Sequence, residues 1–208
     1  MEIITLPVGS QLTNCYLLID EVSNETLIVD PGDESDFISQ TIIEHHLKPQ
    51  AIALTHGHFD HCLGVLELKL NFHLPIYLNQ KDLFLYKNSK QSADHFVPGQ
   101  HLPNPPIDHN LEDRHSFKLG NSIINTIHTP GHTPGSICLR SDEILLTGDT
   151  LFAEELTDTS HSYSSKIELL HSLKIIGKLP PETTIYPGHG PSSKLGDALK
   201  IYISTPSL

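Results

Sequence analysis

A chain of 208 residues with 38% hydrophobic content is long enough to bury one substantial core, and it contains no repeat and no low-complexity tract. Its formal net charge is −12 and its only arginines are Arg114 and Arg140, so no basic stripe exists to neutralise a phosphate backbone, and the expectation is that nucleic acid is not a partner. The absence of any long apolar run or basic leader, and three scattered cysteines, Cys15, Cys62 and Cys138, argue against a membrane span and a disulfide framework, so a cytoplasmic protein with three small buried thiols is the expectation.

Residues 2–6, 13–20 and 25–30 read as strands separated by turns at Gly9-Ser10 and Ser23-Asn24. The third stops abruptly at Val29-Asp30-Pro31-Gly32. Asp33 or Ser35 then offers an N-cap to a helix over 35–47 that turns Ile38, Ile42 and Ile43 inward. A strand over 50–54 delivers the stretch Thr55–His61 at its C-terminal end, where open α/β sheets place their ligands. Val65, Leu66, Leu68 and Leu70 continue as an apolar helix, and Leu74–Leu78 as a strand. Residues 80–96 read as a polar helix anchored by Leu83, Leu85, Tyr86 and Phe96. Residues 97–109 hold four prolines without periodicity, a composition that suits a functional lid or rim. His95, His101, His109 and His115, in or beside that segment, read as solvated surface histidines.

Strands resume over 115–119, 122–128, 136–140 and 143–147, with Gly120-Asn121 as a hairpin signal. Residues 153–162 are polar and irregular. Ser165 and Glu168 form a capping box for a helix with Ile167, Leu169, Leu170, Leu173 and Ile176 at helical spacing, ended by Gly177 and Pro180-Pro181. A last strand, Thr183–Tyr186, runs into Pro187-Gly188-His189-Gly190-Pro191, and the remainder reads as a short peripheral piece. No composition break marks a second domain, so residues 1–208 read as one α/β domain.

Within Thr55-His56-Gly57-His58-Phe59-Asp60-His61, four potential metal ligands fall in six residues. Imidazole and carboxylate together suit a borderline divalent ion such as zinc. His56 and His58, two apart in a turning loop, can grip one ion, whereas the adjacent Asp60 and His61 diverge and can grip a neighbour. The alternative is a polar loop in a chain with 15 histidines. What favours the metal is that three later strand ends each present a His or Asp among glycines: His132 in His128–Ser136, Asp149 in Gly148–Phe152, and His189 in Pro187–Gly190. His128 ends an alternating strand and reads as a core or supporting histidine.

These motifs, with Asn14-Cys15-Tyr16 and Asp30-Pro31-Gly32 before them, resemble the metallo-β-lactamase-fold hydrolases over nearly the whole chain. The glyoxalase II-like (hydroxyacylglutathione hydrolase-like) branch, in its short form without the C-terminal helical domain, is the most similar. The resemblance implies a four-layer αββα sandwich with two metals at one edge. It places His56, His58 and His132 on one ion, Asp60, His61 and His189 on the other, and Asp149 between them. Zinc is the first expectation for both ions; iron or manganese fits the same N/O donors. Two such ions about 3.5–4 Å apart share a water, lower its pKa toward neutrality and polarise a carbonyl, with Asp60 steering the resulting hydroxide. Two ions, two carboxylates and a hydroxide leave about one positive charge, which suits an anionic thioester or ester substrate or a carboxylate product.

The resemblance thins after Phe152. There the glyoxalase II branch continues Gly-rich with a basic residue, and this chain reads Ala153-Glu154-Glu155-Leu156-Thr157-Asp158. Gly190-Pro191 also follow His189 without the tyrosine of that branch, so its grip on glutathione looks absent or rebuilt. Lactone hydrolysis and the single-iron persulfide dioxygenase chemistry of related branches are the alternatives. The intact seven-ligand set argues against a merely metal-binding, inactive protein.

Overall fold

In the computed structural model, which describes residues 1–204 apart from positions 98 and 100, the strands sort into two six-stranded sheets. The first runs in chain order: β1 (Glu2–Val8), β2 (Thr13–Ile19), β3 (Glu25–Val29), β4 (Lys48–Ala53), β5 (Ile76–Leu78) and β6 (His109–Asn110). It is antiparallel as far as β3 and parallel from β3 onward. The second is built from β7 (Ser116–Leu119), β8 (Ser122–His128), β9 (Ile137–Ser141), β10 (Ile144–Gly148), β11 (Thr184–Pro187) and β12 (Ser193–Lys194). Only β10 and β11 pair in parallel there.

The period-two alternation of strand side chains builds the layers. On β2, Tyr16 and Leu18 pack between the sheets against Phe117, Ile124, Ile137 and Leu139, while Cys15, Leu17 and Ile19 face outward. That outward face is covered by α1 (Ser35–Glu44), α2 (Val65–Phe72) and α3 (Leu83–Phe96), through Ile38, Ile42, Leu68 and Tyr86. The outer face of the second sheet, with Cys138, Leu145 and Ile185, lies under α4 (Lys166–Ile176) and α5 (Leu195–Ser204). The result is the expected αββα order, and all three cysteines are buried and free. Among the described residues, no helix is long and apolar enough to cross a membrane.

Several local expectations change. Neither Asp33 nor Ser35 caps α1: Glu34 occupies that position in a left-handed conformation (φ 49°), and its side chain makes no cap bond. The helix ends at Glu44, and Ile43 is 60% exposed because it lies one 100° step around from the buried Ile42. Ile167 is likewise exposed, on the outer side of the first turn of α4, although Ser165 does cap that helix by accepting from Glu168 N. Phe96 is an exposed rim residue instead of an anchor. The piece after His189 is structural: α5 buries Leu195 and Ala198 beside α4, and the Tyr202 hydroxyl hydrogen-bonds to both Thr157 N and Thr157 Oγ1.

The proline-rich segment packs along α3 rather than arching over the strand ends. Asn104 donates to Ser89 Oγ and Cys62 Sγ, Tyr86 donates to Pro105 O, and His109 enters β6. Pro98 and Gln100 of that segment lie outside the described residues.

Candidate metal centre

The C-terminal ends of β3, β4, β8, β10 and β11 all open at one edge of the sandwich, each followed by a loop that carries part of the site. The two sheets are laced together there. Ile137 N donates to Thr55 O at 2.9 Å, Asn14 N donates to Gly188 O at 2.7 Å, and the Tyr16 hydroxyl donates to Pro187 O at 2.6 Å. Asn14 Nδ2 adds bonds to Pro187 O and Gly190 O, so the Asn14-Cys15-Tyr16 strand fixes the loop that bears His189.

Seven side chains from four loops meet at this edge. His56 Nε2 and His132 Nε2 lie 3.0 and 3.1 Å from His58 Nδ1, and Asp149 Oδ2 lies 3.8 and 3.5 Å from His56 and His132. Beside them, His61 Nε2 is 3.3 Å from His189 Nε2 and 3.7 Å from Asp60 Oδ2, and Asp60 Oδ2 is 3.3 Å from His189 Nε2. Asp149 Oδ1 is 3.5 Å from His61 Nε2, so this carboxylate touches both groups. Four donors held 2.0–2.1 Å from one ion stand about 3.3 Å apart, which is the spacing seen. All seven residues anticipated from the sequence are brought together at this edge, and among them His56, His58, His132 and Asp149 form one group whose ligand atoms could hold an ion and Asp60, His61 and His189 another; Asp30 forms a third such group with His56 and His61.

The opposite nitrogen of every imidazole is engaged, and for His61, His132 and His189 the partner sets the tautomer. His61 Nδ1 donates to Asp30 Oδ2 at 3.0 Å, His132 Nδ1 to Asp158 O at 2.9 Å, and His189 Nδ1 to Gln11 O at 3.1 Å. These oxygens only accept, so the three Nδ1 atoms carry protons and the Nε2 atoms point inward. Thr55 Oγ1 donates to Asp30 Oδ2 at 2.6 Å and is 3.1 Å from His56 Nδ1, from which it accepts. One buried carboxylate thus orients a histidine in each group. Asp30 also takes Thr55 N on Oδ1, so both of its oxygens are engaged in supporting the His56 and His61 side chains and their loop. His58 is turned the other way, with Nδ1 inward and Nε2 2.8 Å from the Tyr163 hydroxyl.

Asp82 is the other buried support. It accepts from Gly57 N at 3.1 Å, Gly135 N at 2.6 Å and the Thr133 hydroxyl at 2.6 Å, fastening the His56–His61 loop to the His132 loop. Burial raises its pKa despite these bonds. Asp30, Asp82, Asp158 and Tyr163 were not singled out as site residues from the sequence. Asp30 was marked by the abrupt Asp30-Pro31-Gly32 stop, and the other three carry no local signal. His128 supports the loop by bonding Pro134 O at 3.0 Å and does not enter the site.

Electrostatics divide the cluster. Burial, followed by the neighbouring imidazoles, holds His56 well below the usual histidine range and His58 at about 3, so both are neutral and ligand-ready. Burial also opposes charge on His61, but Asp149, Asp60 and Asp30 outweigh it and hold its pKa up to about 10. His189 is raised for the same reason, by Asp60 and Asp149 against its burial. Burial disfavours the Asp60 anion, yet His61 and His189 keep that carboxyl below its usual range.

The residues fit a pair of ions by a direct test. Asp149 Oδ1 is the buried side-chain polar atom left without a hydrogen-bond partner among the described residues. Three imidazole nitrogens also face one another at 3.0 and 3.1 Å around His58, an arrangement that leaves unshared lone pairs opposed unless a cation lies between them. An open cleft of about 290 Å³ leads to His58, Asp60 and His132, walled by Phe59, Leu85, Phe96, His161 and Tyr163.

The comparisons agree with this geometry. Residues 8–189 match the family model "Metallo-beta-lactamase superfamily". The "Probable metallo-hydrolase YqgX" of Bacillus subtilis (strain 168) is 33% identical over 192 residues, covering 90% of each chain. Among solved structures, the BLEG-1 B3 metallo-beta-lactamase superposes with a TM-score of 0.89 at 29% identity, over 98% of this chain and 100% of that one. TTHA1623, solved in a di-iron-bound form, gives a TM-score of 0.85 at 32% identity, over 99% of this chain and 100% of that one. With the family pattern, the sandwich and the paired His/Asp clusters all present, the chain belongs to the metallo-beta-lactamase superfamily.

Proposed function

We propose that the protein is a dinuclear metal-dependent hydrolase of a thioester or ester carbonyl, with Asp60 as the steering carboxylate. The observation that carries this reading is the doubly engaged Asp149, whose two oxygens face the His56–His58–His132 and Asp60–His61–His189 groups and whose Oδ1 has no other partner. Two divalent ions bound there would supply a nucleophilic hydroxide at neutral pH and polarise the scissile carbonyl. Zinc is first on donor chemistry, and iron is supported by the di-iron form of TTHA1623.

The chain's own groups do the rest. Asp60 lies in the cleft wall with Oδ2 toward His61 and His189, where it can hold the nucleophile's proton away from the carbonyl. His58 Nε2 and the Tyr163 hydroxyl are 2.8 Å apart; with His58 Nδ1 turned to an ion, Nε2–H would donate to the phenol oxygen and leave the Tyr163 proton for an acceptor in the cleft. Burial, with Asp82, Asp158 and Asp60 acting in the same direction, raises that phenol to about 12, so it stays a donor at neutral pH. No serine or cysteine nucleophile is needed, and Cys62 is turned away to bond His58 O.

Metal content combined with turnover of simple thioesters, S-lactoylglutathione, lactones and a β-lactam tests the reading. About two ions per chain and loss of thioester or ester turnover on chelation are expected. Turnover that survives Asp149→Ala in metal-stripped protein would overturn it.

A further inference from the structure

Resting on the hydrolase reading, we infer that the substrate carries an uncharged aryl or alkyl group beside its scissile carbonyl, held in an aromatic slot between α3 and the Ser160–Ser164 loop. The cleft lining holds two aromatic pairs. Phe59 stacks on Phe96, with ring centroids 5.8 Å apart and planes 7° from parallel. His161 stacks on Tyr163 at 5.1 Å and 11°, with Phe84 packed edge-on against Tyr163 at 5.6 Å, and Leu85 adds an aliphatic side chain to the same lining.

The position is functional because the slot is continuous with the candidate metal centre. The His161 ring is 5.6 Å from that of His58, and His58 and Asp60 line the same cleft. Phe96, in the lining, is 65% exposed, and Phe84, packed against Tyr163, is 43% exposed, an arrangement that costs apolar hydration unless a ligand covers it. No lysine or arginine is among the described residues that line the cleft. A glutathione thioester, with two carboxylates and an ammonium, would therefore find no lysine or arginine along this lining to pair with its carboxylates, whereas a flat or aliphatic group gains contact with the aromatic lining.

The test uses the metal-loaded full-length protein. One series lengthens the acyl group of N-acetylcysteamine thioesters from acetyl to hexanoyl and phenylacetyl; a second lengthens an alkyl thiol leaving group on a fixed acetyl, with S-lactoylglutathione alongside. A rise of about tenfold or more in kcat/KM along at least one series is expected, with the glutathione thioester slower than the best member. Phe96→Ala, at an exposed helix end, should collapse that rise mainly through KM. Flat series, a preference for the glutathione thioester, or an unchanged rise in Phe96→Ala would overturn the assignment. Calorimetric binding of acetate, hexanoate and phenylacetate is read separately from turnover. Tighter binding of the apolar carboxylates without turnover of any thioester would retain the slot and reject the hydrolase reading. Equal binding of all three would reject the slot.

Discussion

The Tyr163 hydroxyl lies 2.8 Å from His58 Nε2, on the side of the imidazole opposite the nitrogen that faces His56 and His132. His58 is the one histidine of the cluster that presents Nδ1 inward, and this phenol sets that orientation. Tyr163→Phe keeps the ring that stacks on His161 and removes only the hydroxyl. The expected result is metal affinity or activity lower by about 10–100-fold with the fold intact, because partners that orient a ligand histidine carry effects of that size. Metal titration with circular dichroism checks it, and unchanged affinity and activity would remove Tyr163 from the orienting role.

Asp30 joins the two halves of the site by taking His61 Nδ1–H directly and His56 Nδ1–H through the Thr55 hydroxyl. Asp30→Asn retains one acceptor and replaces the other with a donor that faces His61 or Thr55. Occupancy should fall below two ions per chain, with the ion at His61 weakened by about 10–100-fold. Elemental analysis of dialysed protein measures this. Full occupancy after dialysis would show that the Asp30 hydrogen bonds are dispensable.

Gly188 is required by close approach. Its backbone needs no positive φ, but an added Cβ would collide with the Asp149 carboxylate and stand 2.7 Å from His61 Cε1. Gly190, two residues on, has φ +75° and open space around it. Gly188→Ala should therefore lose metal as well as about 1–3 kcal/mol of stability, and Gly190→Ala should cost about 1 kcal/mol with metal retained. Melting curves and metal content on both variants separate the two cases; equal metal loss in both would contradict the account.

Asp82 holds the first and second ligand loops together through three donors: Gly57 N, Gly135 N and Thr133 Oγ1. Asp82→Ala strands two buried amides and a hydroxyl, and a loss of about 2–4 kcal/mol is expected from denaturant unfolding of metal-stripped protein. A loss under about 0.5 kcal/mol would mean that the loops hold their positions without it.

The strands were legible because period-two alternation and Gly/Pro/Asn punctuation are local: β2, β3, β8 and β11 fall within a residue or two of their expected bounds. The ends of α1 and the direction of Ile43 and Ile167 were less so, since a helical face is fixed by what packs on it. The C-terminal helix α5 reads in the sequence only as a short peripheral piece, although Leu195, Ala198, Leu199 and Tyr202 recur at helical spacing; what the sequence does not carry is the contact with α4 and Thr157 that makes it part of the core.

By itself the sequence determined which residues are the candidate ligands. Histidines and aspartates placed directly after strands, among glycines and prolines that force turns, name His56, His58, Asp60, His61, His132, Asp149 and His189 without coordinates. What only the tertiary structure decided is the supports Asp30, Asp82, Asp158 and Tyr163, and the aromatic lining of the cleft. Those depend on which side chains face one another across 25 to 105 residues of chain, as Asp30 faces Thr55 and His58 faces Tyr163. Only the packing of two sheets brings such pairs within hydrogen-bond range.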